Sequence, residues 1–379
     1  MIIMAIDHVR VYSGMPAGGT TAGIFFTRWI THFCAPAFVF FAGTSAFLYL
    51  QKSGDKKDLA KFLVTRGLLL VLLELTVVRC SWMFNFDFAK FTFTGVIWTL
   101  GWCMVILAAF LRLRPSIIGI IGLTLIFIQQ AFQFVPDIFP SSIRESVATI
   151  WGFFYPPVSD HVSGAAKLSG ISGLPSALGI RIFYVLIPWL GTMMAGYGFG
   201  QLLLREPKSK IKICRGIGFS AILLFLVAGT AIILMESSDQ GGDTPFIFKL
   251  LGQQKYPASQ LYLLMTLGPL IALIPWADSI KGWIANAVKM IGRVPMFYYL
   301  LHIPLIHLSA FVVNFVRTGN IHQDWYVTVP FLSMPEEQRW GLPLLYVVWV
   351  IDVIILYFVC KWYAQYKSNH PEKGWLKYL

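Results

Sequence analysis

Charge is what this sequence has little of. Asp, Glu, Lys and Arg make up 13% of its 379 residues, about half the roughly 25% of a water-soluble domain. Disorder is excluded, because it requires low hydrophobicity and a high charge density, whereas 57% of these residues are apolar. Cysteine is sparse as well: Cys34, Cys80, Cys103, Cys214 and Cys360 stand far apart, mostly in or beside apolar runs. No pair has metal-ligand spacing and the count is odd, so a disulfide scaffold is not expected and packing is the role assigned to them. Catalytic signatures are missing too, with no H-E-x-x-H, P-loop, G-x-G-x-x-G or G-x-S-x-G. The run GISG around Ser172 is one residue short of the last of these and sits in a loop.

Long apolar runs are what the chain does have, and its mean hydropathy is +0.68. A helix needs about 20 mainly apolar residues to cross the hydrocarbon. On that measure the candidate spans are 1–10, 29–50, 62–80, 93–111, 115–134, 180–204, 213–235, 258–276, 293–316 and 341–360. The expected fold class is therefore all-α: a polytopic transmembrane helical bundle of about ten helices, forming a single domain over 1–379. The first run is too short to cross and reads as the second half of a truncated helix. It has no charged n-region or small-residue cleavage site, so it is not a signal peptide.

The net charge of +12 would suggest nucleic acid in a soluble protein. Distributing it over the loops gives another explanation. Alternate loops and the C-terminal tail carry nineteen Lys and Arg against five acids, while the opposite face is neutral. Short cytoplasmic loops collect basic residues, which predicts both termini in the cytoplasm and no nucleic-acid partner. The segment 135–179 then becomes a long extracytoplasmic loop, either a cap over a site or a connector. Segments 236–257 and 317–340 are shorter loops on the same face, and no internal repeat is visible. Ten of the 13 tryptophans, among them Trp82, Trp98, Trp189, Trp276, Trp283 and Trp340, fall mostly near span ends, as an interfacial belt would.

Ionisable groups inside a bilayer are costly and mark functional candidates. With the spans oriented as above, Asp7, His8, Arg28, His32 and Arg79 converge on the outer half of the membrane. Arg28 and His32 are spaced i,i+4 and share a helix face. Adjacent side chains on a helix diverge by about 100°, so the partner that orients His8 is expected from another helix rather than from Asp7. The alternative assigns Asp7–Arg10 and Glu74–Arg79 to structural ion pairs. His302 and His307 are i,i+5 and point to different faces, and no metal site is expected.

Three stretches carry a family resemblance: MIIMAIDHVR; FFTRWITHFCAPAFVFFAGTSAFLYL with TRGLLLVLLELTVVR; and IGRVPMFYYLLHIPLIH. Together they resemble the DUF1624 group of bacterial membrane proteins, related to the catalytic domain of heparan-α-glucosaminide N-acetyltransferase and, more distantly, to the acyltransferase-3 family. The resemblance implies about ten helices in the bacterial cytoplasmic membrane. It also implies acyl transfer from cytoplasmic acetyl-CoA or another acyl-CoA to a sugar or other acceptor on the far side.

In the acyltransferase-3 pattern the first helix reads Arg, ten residues, then His; His8 fits the histidine, and the arginine would precede Met1. The heparan enzyme has its catalytic histidine further along, and the next histidine here is His32. The resemblance thus leaves the base split between His8 and His32, with Asp7 beside the first. Arg28 or Arg79 would stabilise an oxyanion or orient the acceptor, and His302 in YLLHIP matches a histidine of the penultimate helix. Lys56, Lys57 and Lys61 either attract CoA phosphates or form a solvated loop. The competing classes are a membrane transporter, for which no repeat is seen, and a non-catalytic partner in glycan export.

Overall fold

The computed structural model describes residues 1–15, 21–88, 91–157, 176–177, 180–235, 244–327 and 334–378. The chain is an all-α, membrane-type helical protein with very little strand. Six helices among the described residues are long and apolar enough to cross a bilayer: 22–53, 115–138, 207–235, 260–277, 295–318 and 342–369. Of the other expected spans, Val96–Phe110 is apolar but short. The Lys56–Leu73 helix carries charges in its first turns and runs into a π-helical turn at Glu74–Val78. The run 180–204 begins as a strand, Ile180–Ile182, before the helix Leu186–Leu203.

The contacts divide into two compact units. One comprises Ala35–Leu75 and Ala89–Asp278. The Leu186–Leu203 helix lies at its centre, with two thirds of its residues buried. It is rich in glycine because its surroundings are protein rather than lipid, and close helix approach in a membrane needs small residues. A Cβ at Gly196 would overlap the carbonyl of Phe40, and one at Gly122 would meet the backbone of Gly191 and Ala195. Thr44 Oγ1 donates to the carbonyl of Gly196 at 2.9 Å across the same contact. At the edge of this unit the Lys56–Leu73 helix is capped by Asp55, which accepts from the Lys57 amide at 2.7 Å and satisfies one orphan donor. A small sheet pairs Thr92–Thr94 parallel to Ile180–Ile182, with Ser176–Ala177 antiparallel on its other side.

Glu74 also belongs to this unit and is 1% exposed. Its carboxylate faces the backbone amides of Gly95, Ile97 and Trp98, where the Val96–Phe110 helix begins. A Cβ on Gly95 would run into that carboxylate.

The second unit is made of Met1–Cys34, Thr76–Phe88 and Ser279–Leu379. It contains the Ile2–Tyr12, Ala22–Thr31, Pro295–Thr318 and Leu342–Asn369 helices. Proline at the first turn of the last two suits a position whose amide would be unsatisfied in any case. Gly319, at φ +78, closes the Pro295–Thr318 helix in the left-handed region, a conformation glycine adopts without steric cost. Asp352, at mid-span and fully buried, accepts from Ser309 Oγ at 2.7 Å.

Two expectations from sequence change. The segment 135–179 is not loop throughout, since Ser141–Trp151 is a helix after Pro140 and Trp151 Nε1 donates to the Phe132 carbonyl at 2.8 Å. Residues 158–175 and 178–179, Ser172 among them, lie outside the described residues, as do 236–243 and 328–333. Of the tryptophans expected in an interfacial belt, Trp276 and Trp283 are well exposed, but Trp82, Trp98, Trp189 and Trp340 are buried in protein. Linear sequence marks a tryptophan near a helix end without saying whether lipid or protein meets it.

Candidate active site

All six residues singled out from sequence belong to the second unit. The Ile2–Tyr12 helix contributes Asp7 and His8. Ala22–Thr31 carries Arg28 in its last turn and His32 as its C-cap residue. Arg79 opens the short helix Arg79–Met83, and His302 lies in the Pro295–Thr318 helix.

The structure brings two of them into direct contact. His8 Nδ1 lies 2.7 Å from His302 Nε2, with the imidazole rings inclined by 22°. The protons in this pair can be assigned from its third member. His302 Nδ1 is 2.6 Å from the carbonyl oxygen of Tyr299, and a carbonyl only accepts, so Nδ1 carries the hydrogen. The neutral His302 ring then has its lone pair on Nε2 and accepts from Nδ1–H of His8. That leaves the lone pair of His8 on Nε2. Three groups from two helices thereby fix one tautomer of one imidazole. His302 is fully buried and His8 only partly, so the inner ring is the fixed one and the outer ring is the accessible one.

Trp82 forms a wall of this pair, edge-on to His8 with ring centroids 4.9 Å apart. Its position follows from how the Arg79–Met83 helix ends. The last carbonyls of a helix lack intrahelical partners, and here side chains supply them. Tyr12 Oη donates to the Trp82 carbonyl at 2.8 Å, His307 Nδ1 to that of Ser81 at 3.2 Å, and Gln323 Nε2 to that of Met83 at 2.7 Å. Phe84 then turns left-handed at φ +46. Tyr12 stacks parallel to Trp82 at 5.5 Å, and His307 stacks on Phe84 at 3.9 Å. His307 thus serves this helix end, one and a half turns along from His302, as its i,i+5 spacing anticipated.

The remaining candidates take other partners. Asp7 pairs with Arg10 at 2.9 Å, and Arg10 also donates to the Met15 carbonyl at 2.8 Å. Arg79, fully buried, donates to the carbonyls of Asn85 and Asp87 and lies 4.5 Å from the centre of the Phe88 ring. Its guanidinium thus closes the turn that follows its own helix. His32 is buried and its backbone amide donates to Trp29; Arg28 is half-buried, and its carbonyl accepts from Thr31 Oγ1 at 2.6 Å. Among the described residues no group of three or more His, Cys, Asp or Glu is gathered as a metal would require.

Sequence reasoning did not find Tyr299, whose contribution is a backbone oxygen, or the capping roles of Tyr12 and Gln323. No local pattern signals either. It placed His302 with substrate binding; in the structure the His302 ring meets His8 and the Tyr299 carbonyl.

Residues 1–235 match the family described as heparan-alpha-glucosaminide N-acetyltransferase, catalytic. No curated protein matches the chain.

Proposed function

Because the chain belongs to the heparan-α-glucosaminide N-acetyltransferase catalytic family, an integral-membrane acetyltransferase family, we propose that it transfers an acetyl group from acetyl-CoA presented at the cytoplasmic face to an amine or hydroxyl of a sugar-like acceptor on the extracytoplasmic face. His8 is the general base. One observation carries this reading: the Tyr299 carbonyl, His302 and His8 form a hydrogen-bonded series that places the His8 proton on Nδ1 and leaves Nε2 as its basic nitrogen.

The chemistry balances without another reactant. His8 Nε2 takes the proton from the acceptor N–H or O–H as that atom attacks the thioester carbonyl carbon. The new C–N or C–O bond forms, the C–S bond breaks, and the proton passes to the departing thiolate to give CoA thiol. His8 gains positive charge as the proton arrives, and the lone pair of His302 Nε2 stabilises it through the Nδ1–H bond. His302 is a positioning residue, since it acts through His8. Arg28 is the candidate donor for the carbonyl oxyanion. His32 is the second candidate base, and its i,i+4 relation to Arg28 keeps both on one helix face. Arg79 acts on the acceptor indirectly, by fixing the turn beside Trp82.

The test is acetyl-group turnover by the purified full-length chain in lipid, with radiolabelled acetyl-CoA and glucosamine as acceptor. Wild-type protein is expected to release CoA and His8→Ala to lose that release. If wild-type protein neither binds nor turns over acetyl-CoA, the enzyme reading fails and a transport or export role takes its place.

A further inference from the structure

The helix Trp283–Arg293 plays no part in the site described above. It has eleven residues, about 16 Å at 1.5 Å per residue, half of the roughly 30 Å needed to span the hydrocarbon. Gly282, at φ +110, precedes it, and Pro295 opens the next helix. It is a separate short element, not part of a span.

At 100° per residue, Trp283, Ile284, Ala287, Val288 and Ile291 share one arc, and Asn286, Lys289 and Arg293 share the opposite one. On a helix of a soluble protein the apolar arc is the covered one. Here Ile291 docks into a cluster with Val294, Tyr298, Leu356 and Tyr363 and Ala287 is half-buried, but the other three residues of the arc are bare. Trp283 is 79% exposed, Ile284 61% and Val288 53%. Lys281, Lys289 and Arg293 are exposed, and the helix contains no acidic residue. Trp375 is exposed as well, in the terminal turn whose Leu376 joins the same cluster.

We propose that this helix lies along the bilayer surface, with Trp283, Ile284 and Val288 in the acyl boundary and Lys281, Lys289 and Arg293 on the headgroups of anionic phospholipids. A bare apolar arc backed by cations is the pattern of an interfacial helix, and cations at that depth are drawn to anionic lipid. The inference does not rest on the acetyl-transfer reading.

Hydroxyl-radical footprinting of the full chain in nanodiscs tests it, with phosphatidylglycerol titrated into phosphatidylcholine. Oxidation of Trp283 is expected to fall as phosphatidylglycerol rises, relative to the peptide released by digestion. In the Lys281→Gln/Lys289→Gln/Arg293→Gln variant, the same protection should need roughly tenfold more anionic lipid. These side chains are exposed, and an unchanged footprint at buried Trp189 confirms that the variant is folded. Oxidation of Trp283 at the peptide's rate in every lipid would place the helix in water and overturn the proposal. Equal protection in phosphatidylcholine alone would remove its anionic component. Loss of protection on adding acetyl-CoA would reassign the cations to the nucleotide phosphates.

Discussion

His8 and His302 stand 294 positions apart in the chain, and their imidazole nitrogens are 2.7 Å apart in the fold. A histidine relay normally ends in a carboxylate; this one ends in the Tyr299 carbonyl. A carbonyl fixes the tautomer but supplies no full charge, so the relay contributes orientation more than it contributes basicity.

His8→Ala should lose acetyl transfer by roughly 10²–10⁴-fold, the usual contribution of a positioned acid–base group, while still binding acetyl-CoA. His32→Ala is the control. If it abolishes transfer while His8→Ala does not, the base is on the Ala22–Thr31 side. Full activity in both variants would end the histidine-base mechanism.

For His302 the prediction is a split between kinetic constants. His302→Leu removes the acceptor for His8 Nδ1–H and should lower kcat by roughly tenfold or more, as misplacement of a catalytic group does, with KM little changed. His302→Gln keeps an acceptor oxygen and should recover part of the loss. Equal defects in the two variants, tracking lost thermal stability, would reduce His302 to a packing residue.

Arg79 is expected to act on stability. Arg79→Met strips the donor from the carbonyls of Asn85 and Asp87, at about 1–3 kcal/mol for each buried acceptor left bare. The melting temperature in lipid should fall. A normal melting temperature with a raised KM for the acceptor would instead put Arg79 in the binding site.

Glu74 and Gly95 should behave as a coupled pair. Gly95→Ala pushes a methyl group into the Glu74 carboxylate and should cost about 1–3 kcal/mol, the range for overpacking. The double variant Gly95→Ala/Glu74→Ala should lose less than the two single losses added together. Glu74→Gln should lower yield or thermal stability, because it replaces the buried carboxyl group that faces the amides at the start of the Val96–Phe110 helix. A stable but inactive Glu74→Gln would move this residue into the site.

Cysteines at Lys57 and Lys210 should label only from the cytoplasm, and cysteines at Asp160 and Asp243, both outside the described residues, only from the other side. Reversed labelling at any two positions would overturn the proposed orientation.

Composition and hydropathy determined that this chain is a helical membrane protein, because crossing a bilayer demands runs of apolar residues that any window of sequence reveals. The stretches MIIMAIDHVR and YLLHIP marked His8 and His302 individually. What tertiary structure decided is which polar groups meet. The tautomer of His8 depends on a backbone carbonyl three residues before a histidine on another helix. The fate of Trp82 depends on which side chains cap its helix. Leu186–Leu203 is rich in glycine because neighbouring helices, not lipid, surround it. Contacts of this kind join residues tens to hundreds of positions apart, and they depend on distances of a few ångströms that no local pattern of residue types encodes.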